Sequence, residues 1–148
     1  MGLKAKFKNH FFNAFRELFI YHHSSLEFRA KLFALVIAAD KQADECEFTL
    51  VTKAGLAIYN DQDRANTLTL TTREYVKKVL DNNGLDIDSL VHDIVEELKA
   101  IPRYAKKIDI SLLEPIIKCH TDKDTAVYQM RMLEFLSQLR RDYETKSA

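Results

Sequence analysis

The sequence predicts an all-α protein, a single compact bundle of six to seven helices over residues 1–148. Hydrophobic residues make up 47% of the chain, which is enough for one domain with a buried core. Apolar residues recur at helical spacing between residues that start and stop helices. The chain contains 3 Gly and 2 Pro, and no Pro- or Ser-rich stretch marks a domain boundary.

Residues 1–22 are predicted to form an amphipathic helix, followed by a helical core over residues 24–145. The helix carries Lys and Arg beside an apolar stripe of Phe7, Phe11, Phe12, Phe15, Leu18 and Phe19. A basic, Phe-rich helix of this kind either packs into the core or docks on an anionic membrane or a protein partner. Both interpretations stay open.

The second predicted helix, residues 26–39, is apolar on nearly every face, so we expect it to be the central buried helix. A third helix is predicted to begin at Asp44, because Glu47 three residues later completes a capping-box pattern. The polar run at residues 60–63 ends this helix.

Residues 67–72 (TLTLTT) alternate as a strand would, but no partner strand is visible, so we expect an ordered connection. Thr71 and Glu74 then form a second capping-box pattern, which predicts the start of a new helix. The Asn-Asn-Gly run at residues 82–84 is a helix stop.

Either Asp86 or Asp88 is predicted to cap the next helix, and a further helix follows from about Asp109. The last helix is predicted to begin near Asp124. Its inward stripe is expected to consist of Val127, Met130, Leu133, Leu136 and Leu139.

The formal net charge is zero, which removes the electrostatic case for nucleic-acid binding. The charges are nevertheless segregated, since residues 1–33 hold a basic excess and residues 81–98 an acidic one. Cys46 and Cys119 have no short partner spacing, so we expect reduced thiols in a cytoplasmic protein. A docked N-terminal helix would place the protein at the inner membrane face.

The acidic cluster Asp40, Asp44, Glu45 and Glu47 is a candidate metal site. Clustered carboxylates suit hard divalent cations, so the ion expected is calcium, magnesium or manganese. The alternative is that these acids only cap a helix and oppose the positive end of its dipole.

A second turn repeats the spacing of the first. Residues 117–120 followed by Asp124 match residues 37–40 followed by Asp44, which suggests a weak internal pseudo-repeat. If the two turns meet in space, Asp122 and Asp124 are expected to join the first acidic turn around one ion. Chance similarity is the alternative.

The dipeptide His92-Asp93 suggests a metal-dependent phosphohydrolase as one possible class of protein. Such an enzyme would need further ligands on the same metal. A place on the solvated edge of a helix is the simpler explanation. No nucleophile motif or glycine-rich phosphate loop occurs, so the sequence predicts a protein that is not an enzyme.

The stretch FALVIAADKQADECEF, residues 33–48, resembles the tellurite-resistance TerB-like family. In that family an apolar helix ends in Ala-Asp-Gly, and an acidic segment opens the next helix. The resemblance implies an all-helical domain with a repeated acidic turn, acidic metal ligands and a stress-response setting. Lys41 stands where the family has Gly, and His120 stands where an acid is expected.

The sequence therefore predicts a non-enzymatic cytoplasmic binding or scaffold domain. It is expected to hold a divalent cation in its acidic turns and to have a protein partner. The alternative is a peripheral adaptor that docks on a membrane or a partner through residues 1–22.

Overall fold

The computed structural model describes residues 25–39, 41–81, 86–120 and 123–147. The all-α prediction is confirmed, because these residues form helices and short links and include no strand. The predicted amphipathic helix, residues 1–22, lies outside the described residues.

The helices pack around one hydrophobic core. None of those described has both the length and the apolar character needed to cross a membrane. In chain order they are α1 (25–38), α2 (Glu45–Tyr59), α3 (Gln62–Leu80), α4 (Ile87–Ala100), a first 3-10 helix (Pro102–Lys107), α5 (Ile110–Leu113), a second 3-10 helix (Glu114–Cys119) and α6 (Lys123–Ser147).

Helix α1 is the buried centre of the fold, as the sequence predicts. Its residues from Leu32 to Ala38 are at most 3% exposed. The charged side chains of α1 reach partners on neighbouring helices: Glu27 accepts a hydrogen bond from the Tyr75 hydroxyl at 2.5 Å, and Lys31 pairs with Glu97 at 2.9 Å. An all-round apolar helix is stable here because other elements cover it on every side.

Helix α3 corrects the expectation for residues 67–72, which lie inside a helix and not in a connection. Three threonine hydroxyls in α3 donate hydrogen bonds to the carbonyl oxygen four residues earlier, which is compatible with a helix: those of Thr67, Thr69 and Thr72. Thr69 also lies 2.6 Å from Thr52 of α2, oxygen to oxygen. Thr69 therefore joins α3 to α2 through a polar contact.

The helix start predicted at Thr71 and Glu74 is wrong for the same reason. Helix α3 begins ten residues earlier, where Asp61 is the N-cap and accepts a hydrogen bond from the Asp63 backbone at 3.0 Å. Thr71 lies in mid-helix and is buried. A capping pattern has no effect where the preceding residues already continue the helix.

Helix α6 departs from the predicted stripe in its first turns only. Leu133, Leu136 and Leu139 are buried as expected, but Val127 and Met130 are 42% and 51% exposed. The inward position in their turn belongs instead to Gln129, whose exposed fraction is 0%. A polar residue thus occupies a core position, and its partners lie in the site described below.

Cys46 and Cys119 form a disulfide, with their Cα atoms 5.8 Å apart, so the prediction of reduced thiols is wrong. The fold places the end of the second 3-10 helix against the first turn of α2, across 73 residues of sequence. Disulfides are rare in the cytosol. The cytoplasmic location was predicted from reduced thiols, and the disulfide removes that support. The location stays a prediction.

Candidate metal centre

Two segments far apart in the sequence meet at the start of α2. Asp44 and Glu47 come from the first turn of α2, and His120 follows the second 3-10 helix directly. One nitrogen or oxygen atom from each side chain lies within 4.8 Å of the other two. The two turns predicted to repeat one another therefore meet, with a histidine in the second where an acid was expected.

Local helix chemistry fixes the two carboxylates. Asp44 is the N-cap of α2, in an extended backbone conformation, and forms a capping box with Glu47. The Glu47 Oε1 atom accepts a hydrogen bond from the Asp44 backbone N–H at 3.0 Å. The capping interpretation of the sequence is thus confirmed for this pair, and capping also sets where their remaining oxygens point.

The Glu47 carboxylate is fully buried, with an exposed fraction of 0%. Its Oε2 atom accepts a hydrogen bond from Gln129 Nε2 at 2.9 Å. Burial raises the pKa of Glu47, and the hydrogen bonds from Asp44 and Gln129 offset part of that rise. A cation beside a buried carboxylate stabilises its charged form, because it offsets the free-energy cost of burying the charge.

His120 lies between the two acids. Its side chain is 7% exposed, with Nε2 3.1 Å from Glu47 Oε1 and Nδ1 3.4 Å from Asp44 Oδ2. Its backbone N–H donates to the Ile117 carbonyl at 3.2 Å, which fixes the end of the 3-10 helix. Each ring nitrogen therefore faces one carboxylate.

Gln129 of α6 closes the buried side of the site. Its Nε2 atom donates to Glu47 and also to the Val36 carbonyl of α1, at 3.2 Å. Its oxygen, Oε1, is buried and has no hydrogen-bond partner among the described residues. A buried acceptor without a donor costs about 1–3 kcal/mol, so a group that donates to this oxygen would stabilise the site.

Glu45, a predicted ligand, points away from this site. Its two oxygens bond both terminal nitrogens of Arg73 on α3, at 2.8 and 2.6 Å. The guanidinium also stacks over the Phe48 ring at 4.2 Å. Arg73 lowers the pKa of Glu45, and the pair links α2 to α3 at the surface.

The structure places the other predicted ligands elsewhere or outside the described residues. Asp124 is exposed in the first turn of α6 and is not in the three-residue group. Asp40 and Asp122 lie outside the described residues. His92 is exposed and Asp93 half-buried on α4, also apart from this group.

Sequence reasoning missed His120 and Gln129 as members of the site. A signal for His120 existed, because the repeated spacing aligns it with Asp40. Gln129 gave none, since a lone polar residue beside an apolar stripe is normally on the surface. Lys41, where the resembled family has Gly, has a left-handed backbone with φ 64°, the conformation Gly adopts most readily.

No model of a protein family matches this sequence, and no curated protein or solved structure matches the chain. The resemblance to the TerB-like family stays a prediction. The candidate site is therefore argued from its own geometry.

Proposed function

We propose that this protein is a non-enzymatic helical domain that binds a divalent transition-metal ion between Glu47 and His120, with Asp44 in support. The observation that carries the proposal is the convergence of these three side chains from two distant segments. The Oε1 atom of Gln129, whose Nε2 atom bonds the same carboxylate, is buried and unpartnered among the described residues, which further supports a ligand here.

The distances suit neighbouring ligands of one ion. Metal–ligand bonds of 2.0–2.2 Å put adjacent ligand atoms about 3.0–3.5 Å apart. The Nε2 atom of His120 and Oε1 of Glu47 are 3.1 Å apart, so this pair supplies two ligands. Asp44, at the other ring nitrogen, then orients the imidazole as carboxylates do in carboxylate–histidine–metal triads.

Water completes the coordination in this proposal. The Asp44 side chain is 54% exposed, so the site has a solvent side through which ion and water enter. A metal-bound water is a strong hydrogen-bond donor, and the buried Oε1 atom of Gln129 is an acceptor with no other partner among the described residues.

The ligand chemistry narrows the ion. An imidazole nitrogen with carboxylate oxygens suits zinc, manganese or ferrous iron, whereas calcium takes six to eight oxygens. Manganese is the one ion that this set shares with the calcium, magnesium and manganese expected from the acidic turns. We therefore propose zinc or manganese ahead of calcium and magnesium.

Titration calorimetry with Zn²⁺, Mn²⁺, Ca²⁺ and Mg²⁺ tests the proposal. Zn²⁺ and Mn²⁺ should bind the wild-type protein at one site. Glu47→Gln and His120→Gln should each weaken binding at least tenfold, because each removes a ligand. Two matched controls should keep the wild-type affinity: Glu45→Gln, an acid in the same helical turn, and His92→Gln, an exposed histidine.

Absence of binding for all four ions would overturn the proposal, as would equal affinity in the ligand variants and the controls. The adaptor alternative depends on residues 1–22, which lie outside the described residues, and stays a prediction. The stress-response setting and the protein partner rest on the sequence alone.

A further inference from the structure

The Cys46–Cys119 disulfide joins the two segments that form the candidate metal site. Cys46 lies in the first turn of α2 between Asp44 and Glu47, and Cys119 directly precedes His120. The covalent link therefore connects the carboxylate side of the site to the histidine side, one residue from a ligand on each side.

This placement makes the disulfide a positioning element for the site. Cys46 and Cys119 are 73 residues apart in the sequence, so without the bond the imidazole meets Glu47 only through noncovalent packing of the short 3-10 helix on its neighbours, α2, α5 and α6. Metal affinity depends on ligands being held in place before the ion arrives. A link next to both ligands limits the freedom they would otherwise lose on binding.

The bond is also accessible to a reductant. Cys46 is exposed and Cys119 half-buried. Thiol–disulfide exchange requires a thiolate to reach one sulfur of the bond, and Cys46 is the more exposed of the two cysteines.

We infer that a dithiol reductant acts on this protein at Cys46–Cys119, and that reduction releases the metal ion from Glu47 and His120. This inference rests on the proposed function. One thiolate of the reductant attacks Cys46 Sγ, forms a mixed disulfide and displaces the Cys119 thiolate. The second thiol of the reductant then displaces Cys46. The reductant becomes a cyclic disulfide, and two electrons and two protons pass to the two cysteines.

Thermodynamic linkage adds a reciprocal consequence. If oxidation raises the metal affinity by some factor, metal binding stabilises the disulfide by the same factor. For a two-electron couple each tenfold factor corresponds to about 30 mV in the reduction potential. The ratio of affinities and the shift in potential are therefore two measurements of one quantity.

The experiment measures Mn²⁺ affinity by calorimetry for the oxidised protein, for the reduced protein and for a Cys46→Ser/Cys119→Ser double variant. The reduced protein is prepared with dithiothreitol, which is then removed under nitrogen because it binds metals itself. Both bond-free forms should bind Mn²⁺ at least tenfold more weakly than the oxidised protein. The reduction potential, measured in dithiothreitol redox buffers, should fall by at least about 30 mV when Mn²⁺ is saturating.

The Glu47→Gln variant is the matched control, because it keeps the disulfide and lacks a ligand. Its reduction potential should not respond to Mn²⁺. Equal or tighter binding by the bond-free forms would overturn this inference and leave the proposed function standing. Loss of the helical circular-dichroism signal on reduction would also overturn it, since the bond would then hold the whole fold. If the oxidised protein bound none of Zn²⁺, Mn²⁺, Ca²⁺ and Mg²⁺, the proposed function would be overturned and this inference with it.

Discussion

At the residue scale, the carboxylate of Glu47 has two roles. It caps its own helix, and it accepts a hydrogen bond from a residue distant in the sequence. Its Oε1 atom caps the backbone of α2, and its Oε2 atom accepts from Gln129 of α6. Full burial is unfavourable for an acid, which is why its pKa is raised. A residue that only capped a helix would be expected at the surface. Glu47 is buried, and the hydrogen bond from Gln129 and the nearby His120 offset the cost of burying its carboxylate.

Asp86, the N-cap of α4, gives a prediction about pH. Its Oδ1 atom accepts from the Ser89 backbone N–H at 2.8 Å, and these hydrogen bonds lower its pKa below the ordinary 3.8. The folded state therefore favours the carboxylate. Its contribution to stability is complete above that ordinary value and is lost as the pH falls through the lowered pKa of the folded state.

The Asp86→Asn variant keeps a capping side chain but cannot titrate in this range. Urea denaturation from about pH 5 to about pH 2 should show the wild-type advantage over Asp86→Asn shrinking as the pH falls. An advantage that stays constant over this interval would contradict the prediction.

At the scale of elements, α2 and α3 approach closely at Gly55. A Cβ atom built on Gly55 would lie 2.8 Å from the Ala65 Cα atom, closer than real Cβ contacts come. Gly lowers helix propensity by about 1 kcal/mol relative to Ala, so its presence in mid-helix needs a packing reason. The close approach supplies that reason.

The Gly55→Ala variant should therefore lower the free energy of unfolding, by about 1–3 kcal/mol, although alanine is the better helix former. Ala57→Gly is the matched control, because Ala57 is exposed in the same helix. That control should cost about 1 kcal/mol through propensity alone. A more stable Gly55→Ala protein in chemical denaturation would show that the helices can separate there at no cost.

Helices α3 and α6 show where pattern reasoning fails at this scale. Period-two threonines in α3 mimic a strand, but their hydroxyls bond the helix's own carbonyls and the threonine of α2. In α6 the apolar pattern leaves the choice of inward stripe open between neighbouring positions. Gln129 faces inward because its hydrogen-bond partners lie on α1 and α2. These partners are distant in the sequence, so the local pattern does not show them.

At the scale of the molecule, the disulfide should contribute to stability as well as to the site. In the chain-entropy account, closing a loop of this length constrains the unfolded chain by about 4 kcal/mol. Removing the bond, by dithiothreitol or by the Cys46→Ser/Cys119→Ser double variant, should lower the free energy of unfolding by about that amount in urea denaturation. Dithiothreitol should have no further effect on the double variant, and an unchanged midpoint in reduced wild-type protein would contradict the prediction.

Half of the site could be predicted from the sequence. Asp44 and Glu47 are predicted from the clustering of carboxylates within a few residues, a feature that the sequence displays directly. Glu45 was included with them because proximity along the chain does not tell which way a side chain turns, and Arg73 of α3 turned it outward. His120, Gln129 and the disulfide depend on contacts across 73 residues or more.

The sequence by itself determined the helical class, the buried central helix and the cap at Asp44, and it narrowed the cap of α4 to Asp86 or Asp88, because helix periodicity and capping are local interactions. Only the tertiary structure decided the burial of Gln129 in α6, the pairing of Cys46 with Cys119, and the meeting of the two turns. These depend on which helix faces pack together, and that choice minimises the free energy of the whole core. The candidate metal centre depends on both. Local capping fixes Asp44 and Glu47 at the start of α2, and tertiary packing brings His120 to them from a segment distant in the sequence.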